Sequence, residues 1–129
     1  MKYKILIILA KFYKDLSKNL IFGAKEKLKG RANIKIIEVP GSFEIPVVIS
    51  KNIKKYDGFI ALGCVIKGET PHFELISQAT IDAIMKLSID CRKPIGNGII
   101  TCLNKEQAII RSKTKGQEAA TAVIKVLKF

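Results

Sequence analysis

The chain has no tryptophan, one histidine, three cysteines and four prolines in 129 residues. A single histidine leaves too few of the usual ligands for a protein-built zinc centre. Cys64, Cys91 and Cys102 are 27 and 11 residues apart, which fits no C-x-x-C metal or redox motif, and an odd number cannot pair off internally. They read as core thiols of a reducing compartment. No apolar run approaches the ~20 residues of a spanning helix. Residues 5–10 lie between Lys4 and Lys11 with no small-residue cleavage pattern after them, so they read as a buried strand rather than a leader. The expectation is one cytoplasmic domain, residues 1–129, without a membrane partner. Arginine is scarce as well. Of 23 basic residues only Arg31, Arg92 and Arg111 are Arg, although the net charge is +12. The lysines are spread along the chain, never more than two in a row, with no interleaved aromatics. That pattern describes solvated lysine faces better than a nucleic-acid footprint, so no nucleic-acid partner is expected. A field of that sign still draws in a phosphorylated substrate.

What is present is an alternation of strand and helix signals. The apolar share is 48% and the charged share 26%, the balance of a globular protein. Residues 3–10 form a short continuous apolar run, as in a strand covered on both faces. Asp15 is placed to cap a helix reaching about residue 29, with Leu16, Leu20, Ala24 and Leu28 on one stripe and Gly30 ending it. Residues 34–39 read as a second strand broken by Pro40-Gly41, then a helix from 44 or 46 to 55. Residues 59–66 form the most apolar and therefore central strand. Pro71 opens what reads as the longest helix, to about residue 90. A fourth strand lies within 95–103. Asn104 followed by Gln107 starts a short helix ending at Arg111, and a last helix runs from about 117. Four such alternations, joined by connections suited to right-handed crossovers, predict an α/β fold: a four-stranded parallel sheet with helices on both faces.

In an open parallel sheet the ligand sits beyond the carboxyl ends of the strands. The loops there are residues 11–14, 40–44, 67–72 and 103–104. His72, the only histidine, follows the central strand. Thr70 suits the cap and Pro71 the first helical position, which puts His72 in the first helical turn. Backbone N–H groups and the helix dipole make an anion site there, and the same field favours a neutral ring able to accept a proton. Its place at the strand's carboxyl end outweighs the alternative of a merely exposed histidine. Phe12 is an aromatic in the polar loop K-F-Y-K and suits stacking on a planar ring. Tyr13 is a weaker competitor, and Phe22 or Phe59 suits a core plug better. Gly41 beside Pro40 lets the backbone approach a ligand closely. Glu44 can cap a helix or accept hydrogen bonds from ligand hydroxyls. Arg111, read alone, complements a helix C-terminus. Gly96-Asn97-Gly98 lacks the third glycine and the strand–turn–helix setting of a dinucleotide fingerprint.

The segments V-P-G-S-F-E-I-P at 39–46 and G-C-V-I-K-G-E-T-P-H-F-E at 63–74, followed by N-G-I-I-T at 97–101 and E-Q-A-I-I-R at 106–111, resemble the lumazine synthase family in order and spacing over essentially the whole chain. The resemblance implies a flavodoxin-like sheet and a homopentamer with active sites between neighbouring subunits. It implies condensation of 5-amino-6-(D-ribitylamino)uracil with 3,4-dihydroxy-2-butanone 4-phosphate to 6,7-dimethyl-8-ribityllumazine, with no metal or organic cofactor. By that analogy Phe12 stacks on the pyrimidine, and Ser42, Phe43 and Glu44 with Cys64, Val65 and Ile66 hold the uracil and ribityl chain. Asn97 lies against the ring, at a position where many relatives carry an aromatic. Glu69 and Thr70 contact the phosphate, His72 shuttles protons, and Arg111 from an adjacent subunit pairs with the phosphate. Lys115, or Lys113 in its place, assists. Riboflavin synthase is a candidate partner. Two readings compete on the same fold: a non-catalytic lumazine-binding or shell-forming paralogue, and a related riboflavin synthase.

Overall fold

Two apolar clusters share one sheet between them. A computed structural model of the chain describes residues 2–129. Within it, strand β1 (Tyr3–Ala10) sends Ile5, Ile7 and Leu9 into one cluster and Leu6 and Ile8 into the other. Strand β3 (Gly58–Ile66) does the same, with Ile60, Leu62 and Cys64 on one face and Phe59 and Ala61 on the other. Successive side chains of a strand point to opposite faces, and both faces here are covered, so these segments read as unbroken apolar runs rather than alternating ones. Strands β2 (Ala32–Val39) and β4 (Ile95–Cys102) flank the pair, giving the all-parallel order β2-β1-β3-β4. Ile7 stands beside Ile36 on one side and Ile60 on the other, and Ile60 beside Gly96.

Helices α1 (Lys14–Leu28) and α4 (Lys105–Leu127) close the first cluster, and α2 (Ile45–Asn52) and α3 (His72–Cys91) the second. The expected stripe on α1 is fully inside: Leu16, Leu20, Ala24 and Leu28 are at most 1% exposed. Each buried leucine of that stripe contributes roughly 1.5–3 kcal/mol. Gly30, at φ 77, turns the chain out of α1 as read from the sequence. No helix of the described residues is long and apolar enough to cross a membrane. The α/β fold with a four-stranded parallel sheet and helices on both faces is therefore as expected.

Several local expectations are corrected. The two C-terminal helices are one: α4 runs unbroken over 23 residues and is longer than α3, at 20. Gly116 lies inside α4. It is buried against α1, where an added Cβ would collide with the Leu20 carbonyl and the Ala24 nitrogen. Asn104 caps α4 as expected, its Oδ1 accepting the Gln107 N–H at 2.9 Å. On α1, by contrast, Tyr13 holds the cap position with no side-chain bond, and Asp15 lies in the first turn. A turn of 3-10 helix (Ser42–Glu44) precedes α2, which ends at Asn52. β2 begins at Ala32, two residues early. Phe59 fills the core, but Phe22 is 64% exposed and plugs nothing.

The order of the strands decides where a ligand fits. From β1 the chain crosses to β2 on one side, then returns past β1 to β3 and β4 on the other. The loops after β1 and β3 therefore leave the sheet in opposite directions and open a crevice between their carboxyl ends.

Candidate active site

That crevice is a cleft of ≈ 300 Å³. Phe12 enters it from the loop after β1, Ser42 from the turn after β2, Cys64, Val65 and Ile66 from the end of β3, and His72 from the first turn of α3. Six of the residues singled out in the sequence thus meet at one place. His72 is exposed, and Pro71 rather than Thr70 holds the cap position of α3. The Thr70 hydroxyl still accepts the His72 N–H at 3.4 Å, so the loop closes over the helix start much as a capping residue would. Phe12 is 42% exposed, its ring free of the core. Beside it, the Lys11 ammonium lies 3.7 Å from the Glu38 carboxylate, while the Lys11 N–H donates to the Val39 carbonyl at 2.9 Å.

Close approach of backbones makes the floor of the cleft. A Cβ on Gly63 would fall 2.8 Å from Ser42 Oγ and 3.1 Å from the Ala10 side chain, so only glycine there lets the turn after β2 lie flat on β3. Ser42 is 7% exposed, and its hydroxyl is buried without a hydrogen-bond partner among the described residues. Such an orphan costs about 1–3 kcal/mol. The Glu44 carboxylate folds back over Gly41, where an added Cβ would lie 3.3 Å from Oε1. Cys64 is no nucleophile. Burial first, and the neighbouring Cys102 thiol second, push its thiol from 9.0 up to about 12, which keeps it protonated and inert.

Other expected site residues face elsewhere in the same protomer. Phe43, 60% exposed, lines with Glu44 a separate groove of ≈ 370 Å³ between the 3-10 turn, α2 and α3. Asn97 stands in the amino-terminal half of the edge strand β4, beside a concavity of ≈ 110 Å³ with Ile84 and Met85, and its Oδ1 accepts the Ile99 N–H at 3.1 Å. Glu69 and Thr70 lie exposed in the loop before α3. Arg111 lies inside α4, which continues to Leu127, so it serves no helix end. Its Nη1 donates to the Thr101 carbonyl at 3.0 Å, and it shares a concavity of ≈ 240 Å³ with Thr101, Thr114, Lys115 and Glu118. Lys115 is half-buried in that concavity, whereas Lys113 is exposed.

This arrangement can stack a planar ring on Phe12 and exchange protons through His72. A second, cationic concavity stands apart beside β4. The model of the family described as 6,7-dimethyl-8-ribityllumazine synthase matches residues 2–129. The chain belongs to this family. It is 42% identical to 6,7-dimethyl-8-ribityllumazine synthase 1 of Rhodopseudomonas palustris, over 98% of this chain and 85% of the relative. The proteins named 6,7-dimethyl-8-ribityllumazine synthase of Bartonella tribocorum and Agrobacterium fabrum are 44% and 41% identical. The first match covers 95% of this chain and 87% of the relative, the second 99% and 95%.

Sequence reading missed several residues that this member of the family places at its concavities. Lys11 and Ile76 line the cleft, and Thr101, Thr114 and Glu118 surround Arg111. Helical spacing carried the signal for three of them. Ile76 is one turn beyond His72, and Thr114 and Glu118 follow Arg111 at i+3 and i+7, neighbours on one face once α4 is continuous.

Proposed function

We propose that the chain condenses 5-amino-6-(D-ribitylamino)uracil with 3,4-dihydroxy-2-butanone 4-phosphate to give 6,7-dimethyl-8-ribityllumazine, phosphate and water. The observation that carries the chemistry is the meeting of Phe12 and His72 across one cleft at the carboxyl edge of the sheet, in a chain whose family match is full-length. The uracil lies on the Phe12 ring, and the backbone of residues 64–66 and the turn at 42–44 hold its edge and ribityl chain. The 5-amino group attacks the ketone, water leaves to form the imine, phosphate is eliminated, and the ribityl nitrogen closes the second ring with loss of water. Each step moves a proton, and His72 accepts and returns it, a role worth about 10²–10⁴ in rate. Glu69 and Thr70 at the start of α3 contact the phosphate. Positioning two substrates together supplies much of the remaining acceleration.

The working enzyme in this reading is a cytoplasmic homopentamer built from a single catalytic domain, with riboflavin synthase as the expected consumer of its product. Arg111 and Lys115 of one subunit reach the phosphate in a neighbour's cleft, and Asn97 faces the heterocycle. Two features support this. The cationic concavity at Arg111 stands apart from the His72 cleft within one protomer. In addition, α3, α2 and the turn before it leave Leu75, Met85, Ile89, Phe43 and Val47 between 57% and 67% exposed, an apolar surface of the kind subunits cover. Mixing both substrates and following the lumazine absorbance tests the activity, with light-scattering mass taken on the same sample. Absence of product at every enzyme concentration would overturn it.

A further inference from the structure

We infer that Tyr13 and Lys105 act as a positioning clamp that sets the orientation of the Phe12 ring, and through it the affinity for the aminouracil substrate. The inference rests on the stacking role given to Phe12 above. Phe12 and Tyr13 meet edge to face, their ring centroids 4.5 Å apart and their planes at 78°. The Lys105 ammonium sits 4.3 Å from the Tyr13 centroid, over its face. The chain of contacts thus runs from the N-terminus of α4, through Tyr13, to the ring that lines the cleft.

Its anchor is well fixed. Lys105 is the first residue of α4, and the turn that carries it is tied at both ends. Asn104 Oδ1 accepts the Gln107 N–H, and Gln107 Oε1 accepts the Leu103 N–H, both at 2.9 Å. Phe12, by contrast, sits 42% exposed in the loop between β1 and α1. An aromatic so exposed rotates through its staggered rotamers unless a neighbour restrains it. Tyr13 supplies that neighbour from a place where a helix ordinarily carries a capping side chain. It holds the extended N-cap position of α1 and makes no cap hydrogen bond, although Ser, Thr, Asp and Asn are favoured there. The position thus forgoes a cap and gains a ring that touches Phe12. An edge-to-face pair and a cation over a ring are each modest at an exposed site. Their effect here is to hold one face of Phe12 ready for the planar substrate, which reduces the ordering left to be done on binding.

The test is steady-state kinetics of the intact enzyme with each substrate varied in turn. Tyr13→Ala should raise KM for the aminouracil about two- to ten-fold, with kcat changed less than about two-fold and KM for the butanone phosphate unmoved. Tyr13→Phe, which keeps both ring contacts, should restore the wild-type KM. Lys105→Met should raise it about two- to five-fold. In a Phe12→Ala background Tyr13→Ala should add nothing, since the ring it positions is gone. The inference is overturned if Tyr13→Ala leaves KM unchanged, if its effect persists undiminished without Phe12, or if Tyr13→Phe fails to rescue. The last two outcomes mean direct contact or general destabilisation, and thermal melting of the same variants separates those two. An unchanged aminouracil KM in Phe12→Ala itself removes the stacking role and the clamp with it. A loss in Phe12→Ala beside a silent Tyr13→Ala removes the clamp alone.

Discussion

His72 and Cys64 line the same cleft, yet their surroundings differ. His72 is exposed at a helix start, with its N–H held by the Thr70 hydroxyl, and the proposed reaction uses it as the proton carrier. Replacing it with alanine should slow turnover roughly a hundred- to ten-thousand-fold while the light-scattering mass stays that of the wild type. Unchanged turnover would remove the imidazole from the mechanism. Cys64 is 6% exposed, against Cys102, and its thiol is pushed up to about 12. The folded chain therefore keeps its proton where the unfolded chain, near 9.0, has released it. Its stabilising contribution is complete below pH 9 and is lost as pH rises from there toward 12, at a slope of up to ~1.4 kcal/mol per pH unit. Lysines and tyrosines titrate in the same window, so the measurement is a comparison. Between pH 8 and pH 10.5 the urea midpoint of the wild type should fall further than that of Cys64→Ala, and parallel decline in the two proteins would refute the assignment. His72 was legible from its place after the central strand, because that place follows from chain order alone. The inertness of Cys64 was legible only as a core thiol, because its Cys102 neighbour is 38 residues on in the chain, on the adjacent strand β4.

At the scale of elements, what the sequence revealed and what it hid divide along local and non-local lines. The runs at 3–10 and 59–66 and the stripe from Leu16 to Leu28 carry their own period, and each formed where its pattern placed it. The break expected between Arg111 and residue 117 is absent, and the reason Gly116 stands in that stretch lies on another element. It sits in the middle of α4, where the α1 backbone at Leu20 and Ala24 comes too close for a side chain. Splitting α4 hid the face on which Arg111, Lys115 and Glu118 align, and with it the cationic concavity. Phe22 misled as well: an aromatic on α1 off the buried Leu16–Leu28 stripe, it belongs to neither cluster and stays exposed. The Gly116 account has a measurable sign. In an isolated helix Gly→Ala gains ~1 kcal/mol. Gly116→Ala should instead lose stability, because forcing a methyl between two packed helix backbones costs about 1–3 kcal/mol. A melting temperature lowered by a few degrees is the expected result, and an increase would mean the helices part freely.

At the scale of the whole molecule, the proposed assembly makes a prediction that a single protomer does not. Phe12 and His72 line one cleft, while the Arg111 and Lys115 concavity stands apart from it beside β4. A planar guanidinium suits a phosphate as no lysine does, so the division matters only if a neighbour brings its Arg111 to the cleft of this chain. That arrangement has an arithmetic consequence in a cyclic assembly, where each subunit gives its cleft to one site and its Arg111 to the next. His72→Ala and Arg111→Ala should each be nearly inactive as pure assemblies, and each should show a mass about five times the 14.3 kDa chain. Co-assembled from equal amounts, a site is intact whenever a subunit with normal His72 adjoins one with normal Arg111. Random mixing makes that true of about one site in four. Such mixed assemblies should therefore recover about a quarter of wild-type turnover, at unchanged mass. If both groups acted from one chain, every mixed site would carry one defect and turnover would stay at the level of the pure variants, so a silent mixture would place the whole reaction inside a single protomer.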